Sequence, residues 1–416
     1  MEDKYEIKES ERQSWLSLAM IWTGSMICIP CLMIGGVLGA GLSLSGVILA
    51  VLAGYGIVCL YMCLVGMESC DTGLPTVSMA SAVLGEKGAQ FIISLMLAIA
   101  CVGWFGIQSA VCGESFSAMV AGFTGFEIPS WISSIFWGLV MLLTAVYGYN
   151  GLKILNFIAV PALLIVLAYS MFLALSGGGL ETIKTFSPSS QMSFISAVSM
   201  VVASFALGGV ISGDYSRYAK SRKDVVKSTV LGVFPSGMVM MLIGAILSIV
   251  TGQYDISLVL AAVGVPALGL VALVLATWTT NVTNAYSGGL AVSNLFGFGE
   301  DRFKVSCAVA GVIGTILAAA GLLSEFEFFL NILSALIPPI AGVMIASYWI
   351  LGKGRKENLR QKEGWYIPGI ISFAAGAVVA YVTGSIAVFL IGPVNGIAVS
   401  MIVYVVLEKT MKKGEV

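Results

Sequence analysis

Histidine is missing from all 416 residues, and only 10% of them are charged. The first absence removes the usual general base, the usual imidazole metal ligand and the usual proton relay near neutral pH. The second excludes an ordinary soluble fold, in which about 25% of residues are charged. Cysteine occurs eight times, but the lone near-match to metal-ligand spacing, Cys28 and Cys31, has no second pair to complete a metal site. All eight lie within or at the edges of apolar runs, where free, packed thiols are expected. No linker or low-complexity stretch divides the chain. No signal peptide is visible, because the first apolar run is too long and follows the mixed-charge stretch MEDKYEIKESERQS.

What the chain has instead is apolar length. Hydrophobic residues make up 58% of it, in continuous rather than alternating runs. A run of about 20 apolar residues spans a bilayer as a helix, with its backbone satisfied internally. We read twelve spans, roughly 15–43, 47–69, 90–118, 131–149, 154–176, 192–215, 225–251, 260–292, 303–322, 326–351, 366–383 and 386–407. With both termini cytoplasmic, every Lys and Arg except Lys184 falls on a tail or an inward loop. That positive-inside bias supports the span count and the orientation together, and predicts a multi-pass protein of the cell's inner membrane.

Two spans carry heavy backbone punctuation. The first reads WTGSMICIPCLMIGGVLGAG, with Pro30 and four later glycines. The sixth reads ASFALGGVISGD, with Gly208, Gly209 and Gly213. Either cluster alone is explained by close helix packing through small residues. Their matching places in two five-helix halves point to an inverted-repeat transporter with broken helices around a central site.

Polar groups at membrane depth then mark the site. In CVGWFGIQ of the third span, Trp104 and Gln108 stand one helical turn apart, about midway along. A Gln there bonds a neighbouring helix or reads a ligand. Its amide offers an acceptor and two donors, which matches the edge of a heterocycle, and the indole offers a stacking face. In ATWTTNVTNAYSGG of the eighth span, Thr277, Thr279, Thr280, Asn281, Thr283 and Asn284 crowd together. Hard oxygens at that density replace the hydration shell of a small cation, especially near the carbonyls of a broken helix. Glu114 is an intramembrane carboxylate or an interfacial one. Asp214 and Arg217 read as a local ion pair or a helix-end anchor. A membrane enzyme would need a nucleophile, a metal or an acid–base pair at depth, and an aromatic at mid-span would obstruct a channel.

These residues resemble the nucleobase–cation symporter family, which includes bacterial cytosine permeases, hydantoin transporters and carriers for purines, uracil and allantoin. The likeness runs along nearly the whole chain, through GLPTVSMASAVLGEKG, VGWFG, SGDYSRY, WTTN and LSALIPPIAGVMIASY. It implies an all-α LeuT-type fold in one domain (residues 1–416). Two inverted five-helix repeats, 15–176 and 192–351, would be followed by two extra helices, 366–407. It implies that Trp104 and Phe205 sandwich a flat ring, with Gln108, Asn281, Cys28 and Ser204 in the substrate pocket. It implies sodium as the coupling ion, held by the carbonyls of Gly24, Ile27 and Ala276 and the hydroxyls of Thr279 and Thr280. The partners implied are a small heterocycle and the lipid bilayer, with no nucleic acid and no obligate protein. Cytosine permeases place an amide where this chain has Cys101 and a small hydroxyl where it has Leu207. The expected function is cation-coupled import of a cytosine-like heterocycle. The alternative is a proton-coupled carrier of a hydantoin, allantoin, purine or thiamine-precursor pyrimidine.

Overall fold

The structure is a computed structural model that describes residues 7–147, 152–188, 191–253, 259, 260, 262 and 266–414. The end of the fourth expected span and the start of the eighth lie partly outside these residues. Among the described residues every regular element is a helix, and the one extended contact is an isolated bridge between Gln13 and Ala219.

α1 (Trp15–Met26) begins where the Ser14 side chain accepts from the N–H of Ser17. It ends at Ile27, and α2 (Ile29–Gly41) restarts from an extended Cys28 with Pro30 in its first turn. A proline is tolerated there because its missing N–H has no intrahelical partner to lose. The two halves meet at 58°, so the first span is broken before its glycines rather than at them. Those glycines serve packing: a Cβ on Gly39 would lie 2.6 Å from the Ala245 carbonyl oxygen of α12 (Arg222–Thr251).

α3 (Leu44–Thr72) and α4 (Thr76–Leu84) lead to α5 (Glu86–Thr124), the helix of Trp104 and Gln108. At about 1.5 Å per residue its 39 residues are longer than a ~30 Å hydrocarbon core. α6 (Ser130–Tyr147), α7 (Leu152–Ala174) and the short α8 (Leu180–Thr185) follow. The sixth span is fragmented into α9 (Phe194–Ser204), α10 (Ala206–Val210) and α11 (Gly213–Ser216). Its breaks are Phe205 (φ −131°, ψ 20°) and Ile211 (φ −82°, ψ 8°).

After α12 come α13 (Pro266–Phe296), α14 (Phe303–Ala319), α15 (Phe326–Leu336), α16 (Pro338–Ile345), α17 (Ile367–Tyr381) and α18 (Gly392–Gly414). α5 packs along α13, and α12 packs on α1, α2 and α3. Among the described residues eight helices are long and apolar enough to cross a membrane, or nine if the bent pair α1–α2 is one span. Phe194–Ser204 and Phe303–Ala319 are shorter apolar helices. The protein is a multi-pass helical membrane protein.

Candidate substrate and cation site

Trp104 is half-buried, and its indole is met edge-on by Phe329 at 5.2 Å and by Phe326 at 6.1 Å. Gly103 permits this approach, since the Phe329 ring occupies the place of a Cβ. One turn on, Gln108 is 1% exposed, and among the described residues no group donates to its Oε1. A buried carbonyl of this kind costs about 1–3 kcal/mol while it stays unpaired.

A cavity of about 1020 Å³ opens at the end of the bundle where α2 and α5 finish and α9 and α15 begin. Val111, three residues past Gln108, lines it, as do Glu114 and Phe326. Phe326 thus stands between the cavity and the Trp104 indole. Glu114 is half-buried in that wall, beyond Trp104 and Gln108 along α5.

Phe205 occupies the break of the sixth span, and Gly208 leaves room for its ring. Its ring partner is Trp22 at 6.1 Å. Phe205, Trp104, Ile27 and Cys28 all lie half-buried on one apolar core. Ser204 donates to the Val201 carbonyl at 2.6 Å.

The expected cation ligands fall into two groups. On α13 the Thr279 and Thr280 hydroxyls both donate to the Ala276 carbonyl at 3.0 Å, which brings three hard oxygens together along one turn. At the first break the Cys28 N–H, which would serve the Gly24 carbonyl in a continuous helix, goes instead to Met26 at 3.0 Å. Gly24 is exposed, with open space where a Cβ would be. α2 also touches α13. These neutral oxygens suit a hard monovalent cation.

Asn281 is placed differently from the rest. Its Nδ2 donates to the Phe105 carbonyl at 3.0 Å and to Ser109 Oγ at 2.9 Å, with Met141 Sδ at 3.2 Å. Its Oδ1 accepts from Asn284 at 3.4 Å. The amide therefore ties α13 to α5. Asp214, within electrostatic reach of Arg217, accepts the Thr76 N–H at 2.8 Å. That bond joins the GLPTVS and SGDYSRY motifs.

Sequence reasoning missed the residues that brace the breaks and the far end. On α3, Tyr61 donates to the Ala206 carbonyl at 3.2 Å, and the Tyr55 hydroxyl lies 3.8 Å from Cys31 Sγ. At the end opposite the cavity Asp71 pairs with Arg222 at 2.6 Å and accepts from Tyr348 at 2.6 Å. Arg222 also donates to Gly354 and lies 4.9 Å over the Trp349 ring. Residues 71, 222 and 348 are too far apart in the chain for spacing to reveal this cluster. Two mid-span tyrosines were the only visible signal for the other.

The family model for permeases of cytosine/purines, uracil, thiamine and allantoin matches residues 6–412. The cytosine permease of Escherichia coli (strain K12) is 34% identical over 353 residues, covering 85% of this chain and 81% of that permease. The chain belongs to this permease family. It is a transporter and not an enzyme. The hydantoin permease of Microbacterium maritypicum is 25% identical over 377 residues, covering 84% of this chain and 76% of its own. Among solved structures, inward-facing Mhp1 has a TM-score of 0.82 at 22% identity, covering 97% of this chain and 92% of Mhp1. Mhp1, a nucleobase-cation-symport-1 family transporter, closed with bromovinylhydantoin bound, has a TM-score of 0.76 at 21% identity, covering 98% of this chain and 94% of its own. At these identities the likeness carries the fold.

Proposed function

We propose that this permease imports a cytosine-like heterocycle by sodium symport, through alternating access in a LeuT-type fold. The two inverted repeats would be 15–176 and 192–351, with 366–407 outside them. Their first helices would be the first and sixth spans, both of which are broken. Both termini would be cytoplasmic, so the cavity would open outward.

The observation that carries the substrate reading is the buried, unpartnered Oε1 of Gln108 one turn from the Trp104 indole. A ring stacked on Trp104 would present an edge N–H to that oxygen. Phe205 would cover the other face, with Cys28 and Ser204 beside it. Asn281 would act by holding α13 against α5 rather than by touching the ring. The cation reading rests on the three oxygens around Ala276 and on the Gly24 and Ile27 carbonyls at the first break. None of these groups titrates near neutral pH, so the set has no means of carrying a proton.

Uptake of radiolabelled cytosine into proteoliposomes, with and without a sodium gradient, tests both halves. Thr280→Val keeps the shape and removes one ligand oxygen, so it should abolish the sodium dependence before it abolishes substrate binding. Glu114 in the cavity wall favours the second reading, proton coupling. Full uptake under an imposed pH gradient without sodium, lost in Glu114→Gln and kept in Thr280→Val, would replace sodium with a proton. Hydantoin, allantoin, hypoxanthine and uracil belong in the same panel.

A further inference from the structure

The stretch Cys28-Ile29-Pro30-Cys31 lies at the junction of α1 and α2. Cys28 is the extended residue at the break, and Cys31 sits in the first turn of the restarted helix. Their sulfurs are 3.5 Å apart. Of the eight cysteines Cys28 is half-buried and the other seven are buried. Cys28 is therefore the one cysteine of the eight that is not fully buried, and a second thiol lies against it.

We propose that Cys28 and Cys31 form a closable dithiol, a modification site that a two-electron thiol oxidant converts to an intramolecular disulfide, with loss of transport. A disulfide needs its sulfurs at about 2.05 Å, so the pair must close by roughly 1.5 Å, a distance within reach of side-chain rotation. Pro30 between them has its φ set by its ring and is already accommodated in the helix start.

With an azo oxidant such as diamide the step balances. Cys28 Sγ adds to one nitrogen of the N=N bond, and its proton goes to the other nitrogen. Cys31 Sγ then attacks the Cys28 sulfur and expels the substituted hydrazine, which takes the second proton. Two electrons pass from the thiols to the azo group, and one S–S bond forms. Exchange of this kind depends on access and on a resolving thiol nearby; Cys28 is the half-buried member of the pair, and Cys31 is the resolving thiol.

Closure acts on the break itself. It ties the hinge residue to the first turn of α2 in a covalent ring. It draws Cys31 Sγ from its place 3.8 Å from the Tyr55 hydroxyl, and it turns the Cys28 side chain off the wall it shares with Ile27. The consequence for transport rests on the substrate and cation site proposed above; formation of the bond does not.

The test uses the full chain in proteoliposomes, treated with diamide and read two ways: peptide mapping by mass spectrometry, and uptake of radiolabelled cytosine. The wild type should gain a Cys28–Cys31 disulfide and fall to the uptake of empty liposomes, and dithiothreitol should reverse both. Cys31→Ser should transport and resist diamide, with Cys31→Ala in its place should the serine variant fail to reach the membrane. Cys63→Ser, on α3, should respond as the wild type does. Absence of the Cys28–Cys31 bond on mapping overturns the proposal. So does full uptake with the bond formed, or equal inhibition of the Cys31 variants. Mapping decides the dithiol even where the untreated protein takes up no cytosine, a result that would sink the substrate reading instead.

Discussion

Gln108→Leu separates a substrate-reading amide from a packing amide. Leucine is close in size and carries no polar atom. In the empty carrier the wild-type Oε1 is buried without a donor, a burden of about 1–3 kcal/mol that leucine removes. The melting temperature of the ligand-free variant should therefore be unchanged or higher. In the complex the same oxygen would accept a ring N–H, so the variant should lose about 1–3 kcal/mol of binding, or roughly 5- to 150-fold in Kd. Isothermal calorimetry on detergent-solubilised protein measures the loss, and a thermal-shift assay measures the stability. The loss should be greatest for ligands that present a donor and an acceptor on one edge. Its ranking across cytosine, uracil, hypoxanthine and hydantoin should change. A lower melting temperature with unaltered affinity and ranking would refute the reasoning, because Gln108 would then serve only the packing of α5.

Trp104→Ala should weaken substrate binding by roughly 5- to 150-fold, from about 1–3 kcal/mol of stacking per ring, while the protein still reaches the membrane; wild-type affinity in a radioligand assay would remove Trp104 from the site. Asn281→Leu strips two donated hydrogen bonds from the α5–α13 seam. It should cost about 1–3 kcal/mol of stability, visible as a lower melting temperature with or without substrate. Gly39→Leu places a side chain against the Ala245 backbone and should reduce the yield of folded protein on size-exclusion chromatography, whereas Gly24→Ala, with open space around it, should not.

Much of this protein is legible in its residues alone. Membrane residence follows from apolar length, because a bilayer accepts only segments that satisfy their own backbone, and this chain supplies such segments throughout. Trp104 and Gln108 share a face because helix geometry fixes it for any pair four apart. The crowding of Thr279 and Thr280 was readable for the same reason, while the Ala276 carbonyl to which both hydroxyls donate entered only through the family resemblance. Pro30 announced a broken first span. The glycines after it pointed a turn or more too far along, because close packing on α12 and a break in the helix both favour glycine, and the residue type does not say which is at work.

Only the tertiary structure decided what depends on a distant partner. Asn281 could have faced a ligand or a neighbouring helix, and the Phe105 carbonyl and Ser109 settle where its amide points. The Asp71–Arg222–Tyr348 cluster joins residues up to 277 apart in the chain, and no local spacing encodes such a meeting. The same holds for Phe326 and Phe329, which reach Trp104 from α15, and for Tyr61, which serves the sixth break from α3. Helical periodicity determines which residues share a face. Which faces meet is a global property of packing, set by the whole bundle at once.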